Sequence, residues 1–348
     1  EMSIVGRSIK YGYANTREKA MEARQLNVET LKRIESAKDM SEVLGILYET
    51  DYKTNLVEFG GVSAKAELID FAISKNLADK LEKLVEITPK DEQDLIRPLI
   101  AKWDLANVKL AIEAKIKGNS YDSIAKYIID KSPFGSEVIK QAVDKQSVEE
   151  LIDFLYSKSP RDYANILKNA KEAYAEDKTG LKAVDAIDLG AISQVAKAVE
   201  LLKARKHFRS SKIAQLTIDM QNLVTAIRAK SNNVSFEKIR DLLVENGSIE
   251  KSQIERAYSA QSLDKMLEAL GYKGLGNAGL TGVEIAIRRR MLETGRKLVK
   301  GVVLSFTTLV YYIYLKELEV MNLRLVIKSK QYGISMEEIE KLGFAQVE

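Results

Sequence analysis

A twelve-residue motif returns three times along this chain, and that recurrence constrains the fold more than any other feature. Asp104-Leu-Ala-Asn107-Val-Lys-Leu-Ala-Ile112-Glu-Ala-Lys115 comes back as Asp219-Met-Gln-Asn222-Leu-Val-Thr-Ala-Ile227-Arg-Ala-Lys230 and as Glu319-Val-Met-Asn322-Leu-Arg-Leu-Val-Ile327-Lys-Ser-Lys330, with starts 115 and 100 residues apart. Register holds beyond the lysines, through Ser120, Ser235 and Ser335, then Asp122, Glu237 and Glu337, then Ile124, Ile239 and Ile339. An echo of this kind reports a repeated architecture. At about 100° per residue the acid, Asn, Val/Leu, Ile, small residue and Lys project from one face of a helix, spread over roughly 160°.

The residues after each motif predict a helix stop. Gly118, Asn232, Asn233 and Gly333 can adopt the left-handed conformation that closes a helix C-terminus. Lys115, Lys230 and Lys330 then lie near a negative helix end, and the shared Ser suits the N-cap of a second helix. A weaker echo, at Asp39-Met-Ser-Glu-Val-Leu44, Gln146-Ser-Val-Glu-Glu-Leu151 and Gln261-Ser-Leu-Asp-Lys-Met266, precedes each motif. The expected organisation is three similar helical units: residues 1–130 with an N-terminal helix, 131–243 and 244–348. Units of roughly 116 residues exceed the usual ~20–50 residue solenoid period, so a pseudo-threefold ring or funnel is favoured over a rod.

Composition agrees with an all-α fold. Four prolines, all before residue 161, and amphipathic stretches such as Val148–Tyr156 and Leu263–Leu270 point to helices. Breakers stand at 57–63, 131–135, 157–160 and 271–282. With 45% hydrophobic and 30% charged residues the chain can bury a core. Zero Cys and one His exclude thiol nucleophiles, disulfides and Cys/His zinc sites. The net charge of +4 is small for a nucleic-acid binder. No charged segment followed by an apolar one opens the sequence, so secretion is not expected. The apolar run Val302 to Leu315, bounded by Lys300 and Lys316, is shorter than the ~20 residues of a membrane span and reads as a buried helix.

Few residues suggest chemistry. Gly274-Leu-Gly276-Asn-Ala-Gly279 matches a dinucleotide fingerprint, but a helical pattern precedes it where a strand belongs, so an interhelical loop is the better reading. No P-loop occurs. His207 sits in Ala204-Arg-Lys-His-Phe-Arg209 with no acid nearby in sequence to orient it, which favours a surface or helix-packing role over catalysis. Carboxylate pairs such as Glu149/Glu150 and Glu337/Glu338 read as solvated faces. No catalytic, cofactor or metal site is expected. Asn107, Asn222 and Asn322, with Lys115, Lys230 and Lys330, are candidates for docking the repeats or contacting a partner; hydrogen bonds to neighbouring backbone are the favoured role for the asparagines. Two basic stretches, Lys203/Arg205/Lys206/Arg209 and Arg288-Arg289-Arg290 with Arg296, Lys297 and Lys300, read mostly as solvated faces, though they could steer an acidic partner.

The triplicated motif, together with the opening Tyr11-Gly-Tyr13-Ala-Asn15-Thr-Arg17-Glu-Lys-Ala20-Met21, resembles the family of C subunits of archaeal A-type ATP synthases, whose eukaryotic counterpart is the d subunit of the V-ATPase. The closing Asn322–Lys330 with Gly333 and Ser335 is the most specific part of a likeness covering nearly the whole chain. The resemblance implies an all-helical, pseudo-threefold funnel on the cytoplasmic face of a membrane proteolipid ring. It also implies that the funnel receives the D and F subunits of the central stalk and meets the membrane only through the ring. The implied function is a non-enzymatic rotor coupling, without cofactor. Two rivals remain: a helical-repeat nucleic-acid-binding protein, suggested by the pI of 8.8, and a dinucleotide enzyme built on Gly274 to Gly279. The second copy departs by having Ser231-Asn-Asn-Val234 without glycine.

Overall fold

A computed structural model describes residues 4–58, 66–273 and 279–333. Every described element is helical, and no strand occurs among the described residues. In chain order the helices are α1 (Ile4–Glu22), α2 (Val28–Ser36), α3 (Met40–Leu47), α4 (Lys53–Glu58), α5 (Ala66–Ile87), α6 (Gln93–Ile96), α7 (Ala101–Asp104) and α8 (Ala106–Ile116). There follow α9 (Tyr121–Ile124), α10 (Ser136–Val143), α11 (Val148–Lys158), α12 (Arg161–Asp177), α13 (Leu181–Ala204) and α14 (Phe208–Ser231). The last four are α15 (Lys251–Tyr258), α16 (Leu263–Ala269), α17 (Gly279–Val299) and α18 (Phe306–Tyr332).

The weak sequence echo becomes a shared start signal. Asp39, Ser147 and Ser262 are N-caps of α3, α11 and α16, each accepting from the backbone N–H three residues on. Such caps satisfy a donor that the helix itself leaves open and contribute about 1 kcal/mol each.

The motif helices α8, α14 and α18 end where the sequence places their stop. Gly118, Asn233 and Gly333 all have positive φ, at 68°, 53° and 68°. The N–H groups of Asn119 and Val234 reach back to Ala114 O and Ala229 O at 2.8 and 2.9 Å, closing the helix in the same way in both copies. Asn233 therefore does the work of the missing glycine. The second helix expected after the shared serine shrinks to one turn, α9 in the first copy and a 3-10 turn at Phe236–Lys238 in the second. Ser120 and Ser235 occupy the N-cap position there without a side-chain cap bond. Ser335, Glu337 and Ile339 lie outside the described residues, as do 274–278 of the glycine-rich stretch.

The chain divides into two compact units, Glu1–Gln93 with Val199–Glu348, and Asp94–Ala198. The 94–198 unit has one core, in which Val108 and Ile112 of α8 meet Ile139 of α10, Leu151 and Leu155 of α11, Ile166 of α12 and Ile187 of α13. Gly190 on α13 is obligatory, because a Cβ there would stand 2.6 Å from Ile166 Cγ2. In the other unit α18 packs against α1, α5, α14 and α17. A core on its α14 side gathers Leu223, Ile227, Ile254, Met266, Leu267 and Ile287. Burying each such side chain contributes about 1.5–3 kcal/mol.

The apolar run at 302–315 is helical only from Phe306, because Ser305 caps α18 by accepting from Thr307 N at 3.0 Å. Before it, Gly301 and Leu304 have φ of 72° and 53° and Val303 stands exposed. No described helix is long and apolar enough to cross a membrane.

Candidate functional site

The first two motif copies build the same asparagine clamp, and all three set a lysine on the end of another helix. Asn107 Nδ2 donates to Ile129 O and Phe134 O, both at 2.8 Å, and its Oδ1 accepts from Ile129 N at 2.9 Å. Asn222 repeats this on Val244, donating to its O and accepting from its N at 2.8 Å each, again 22 residues on. Only an amide offers donor and acceptor side by side, so it replaces a strand partner for one buried residue. Asn322 is equally buried; the residue 22 further on lies outside the described residues.

The lysines act on helix ends, though not on those of their own helices. Lys115 Nζ donates to Val143 O at 3.1 Å, where α10 ends. Lys230 donates to Tyr258 O and Ala260 O, both at 2.7 Å, where α15 ends. Lys330 donates to Glu35 O at 3.0 Å and to Ala37 O, where α2 ends. A cation placed on the open carbonyls of a helix C-terminus satisfies them and meets the negative end of the helix dipole. The first two bonds span the same 28 residues. The third joins residues 295 apart, so the chain's last described helix holds one of its first.

The acids anchor the far end of each motif. Asp104 accepts from Tyr163 OH at 2.5 Å, Asp219 from Ser248 Oγ and from Ile249 N at 3.0 Å. Glu319 accepts from Leu26 N at 2.7 Å and Tyr52 OH at 2.5 Å. Burial raises the Asp219 carboxyl above its usual range, against the opposing pull of Ser248 and Ile249.

Sequence reasoning missed a set of buried charges around α18. Lys316, which marked one boundary of the apolar run, is itself buried; its Nζ lies 2.6 Å from Glu319 Oε1, 3.0 Å from Tyr52 OH, and 4.4 Å from the centre of the Tyr52 ring. Burial pulls its ammonium below the usual value although Glu319 favours the charged form. Burial likewise pushes the Tyr52 phenol up, keeping it a donor. The three-residue spacing of Lys316 and Glu319 was the available signal.

Glu18 on α1 is a second such group. It is buried with one oxygen unpartnered. Desolvation pushes its pKa up to about 8, with Lys19 opposing and Glu22 reinforcing. A carboxyl raised in the folded state contributes stability that is complete below its unfolded value, near 4.5, and is lost as pH rises through about 8. We expect unfolding free energy to fall between those limits by up to about 1.4 kcal/mol per pH unit from this group. Urea titrations of the parent and of Glu18→Gln across that range check it: the variant loses this slope, and parallel curves would contradict the assignment.

His207 does have an acidic partner, supplied from 115 residues upstream. Its Nε2 lies 3.1 Å from Glu92 Oε1, which also receives Lys10 Nζ and Tyr11 OH at 2.8 Å. Burial opposes ionisation of Glu92, but these bonds prevail and hold it below the usual carboxylate range. The His207 ring packs on Phe306 at 5.1 Å. The result is a packed junction of α1, α18 and the turn before α14. The arginine triplet divides: Arg288 is half-buried, Arg289 is exposed, and Arg290 donates to Gly271 O at 2.9 Å while covering the Tyr272 ring. Among the described residues no group of three or more His, Asp or Glu could hold a metal ion.

Comparison with known proteins matches this chain to one family model, ATP synthase (C/AC39) subunit, over residues 14–342. The C subunit of the A-type ATP synthase of Pyrococcus abyssi is 24% identical, covering 97% of this chain and 91% of the relative. That of Archaeoglobus fulgidus is 25% identical over 98% of both chains. The protein of the same name from Methanosarcina acetivorans is 25% identical over 93% of this chain and 90% of its own length.

Proposed function

We propose, since this chain belongs to the ATP synthase (C/AC39) subunit family, that it is a non-catalytic rotor subunit joining the central stalk of an A/V-type ATP synthase to the membrane proteolipid ring. Its relatives are named as C subunits of A-type ATP synthases, which supports membership of that complex. The observation that carries the coupling role is the bond from Lys330 on α18 to the end of α2. It joins residues 295 apart with the same lysine-to-helix-end bond that Lys115 and Lys230 make locally, which suits a closed pseudo-threefold funnel better than an open rod. The three helical units are then 1–130, 131–243 and 244–348, and the shared Asn and Lys residues dock the repeats.

A coupling part must transmit twist without yielding. Close-packed helices pinned by buried amide and lysine bonds resist shear in a way that loops do not. The funnel sits on the cytoplasmic face, receives the D and F subunits of the stalk, and passes ion-driven rotation between the ring and the nucleotide-processing head. Co-expression with a proteolipid ring and a coiled-coil shaft tests this: we expect a stoichiometric complex whose ring contact weakens at high salt. A chain that purifies alone under every salt condition would remove the proposal.

A further inference from the structure

We propose that the surface formed by the α13–α14 turn and the α17–α18 turn binds anionic lipid headgroups directly. The two basic stretches, about ninety residues apart in sequence, meet in space. Arg209 on α14 donates to Leu298 O on α17 at 3.2 Å, and Ser210 Oγ lies 3.1 Å from Thr307 Oγ1 on α18. These contacts bring Lys203, Lys206 and Arg209 alongside Lys297 and Lys300, all of them exposed. Lys203, Lys206, Lys297 and Lys300 form no ion pair with any described residue. Of the nearby acids, Asp91 is engaged with Lys10 and Glu92 with Lys10 and His207, and Glu293, one turn before Lys297 on α17, is exposed.

Two bulky apolar side chains stand among these cations. Phe208 is 59% exposed and Val303 is 72% exposed. Both are presented by tight turns: Lys206 has φ of 63°, and Gly301 and Leu304 flank Val303 with φ of 72° and 53°. A left-handed non-glycine residue on each turn is an unfavoured conformation that the surroundings must hold. Mobile lysine point charges around protruding apolar tips suit a headgroup layer, which takes up charge without fixed geometry and admits shallow apolar insertion. An acidic protein partner would leave Phe208 and Val303 without a role. The surface stands independently of the rotor reading, and direct lipid contact departs from the ring-only membrane contact that the resemblance implies.

Flotation of the full chain with phosphatidylcholine vesicles, with and without a third of phosphatidylglycerol, tests the inference. The parent is expected to float with the anionic vesicles and not with the neutral ones. Each cation near an anionic surface contributes about fivefold, so Lys203→Gln, Lys206→Gln, Lys297→Gln and Lys300→Gln together lower partitioning by several hundred-fold. Phe208→Ser with Val303→Ser lowers it by about tenfold or more. Unchanged melting temperatures show that the variants fold; should the quadruple variant melt early, the pairs Lys203/Lys206 and Lys297/Lys300 are changed separately, each for about thirtyfold. Equal flotation with neutral vesicles, or anionic binding indifferent to either variant, overturns the proposal. So does retention on immobilised polyglutamate that the Gln variant loses while the parent ignores vesicles, which would assign the patch to an acidic protein.

Discussion

Asn222→Ala lowers the unfolding free energy by about 3–5 kcal/mol, far beyond what an asparagine-to-alanine change costs on a surface. Two bonds at 2.8 Å vanish together, and both polar groups of Val244 are left buried without a partner. Each orphaned group costs about 1–3 kcal/mol, and no water reaches a side chain with no exposure to replace them. Asn107→Ala, in the other compact unit, removes three bonds, but two of them serve the half-buried Ile129, so it costs about 2–4 kcal/mol. Urea denaturation measures both, and a loss under about 1 kcal/mol for either would show that the amides are incidental to the fold.

The larger effect of a different kind falls on Glu319. Glu319→Leu strips Lys316, Tyr52 and Leu26 of their common acceptor and strands a cation with 2% exposure. Removing one partner of a buried pair costs about 3–5 kcal/mol, while replacing the whole set by apolar groups is far milder. Lys316→Met and Tyr52→Phe added to Glu319→Leu should therefore return stability to within about 2 kcal/mol of the parent. The single variant carries a pH signature as well. Its Lys316 ammonium is already below the usual 10.5 through burial and loses Glu319 as its counter-charge. The penalty is full below the folded pKa and is relieved as pH rises toward 10.5. A single variant no less stable than the triple one, or one whose stability falls with pH through the alkaline range, would contradict this account.

How far the sequence carried can be judged from these same residues. The triplicated face was legible because a helix places Asn107, Ile112 and Lys115 on one side by geometry alone, and all three copies do bury their Asn and Ile. The helix stops were legible for the same local reason, down to Asn233 taking the glycine conformation. What each lysine would hold was not. Order along the chain does not say which helix end meets Lys330, and the answer, Glu35 and Ala37, lies at the far end of the sequence. Lys316 was misleading because a charge beside an apolar run normally marks the surface, whereas here Glu319 and Tyr52 compensate it from within. His207 acquired its acid from Glu92 through tertiary packing alone. The three adjacent arginines suggested one feature, but a helix fans neighbours out by about 100° each, and they went three ways.

The bond between Lys330 and α2 sets an order of events during synthesis. A chain emerging from the ribosome meets the partners of Lys115 and Lys230 within some thirty residues of each lysine, so those helices can settle while translation continues. Helix α2 must wait for 295 further residues before its terminal carbonyls are answered. A nascent chain halted before residue 330 would leave that helix end hydrated and the N-terminal segment open to proteases.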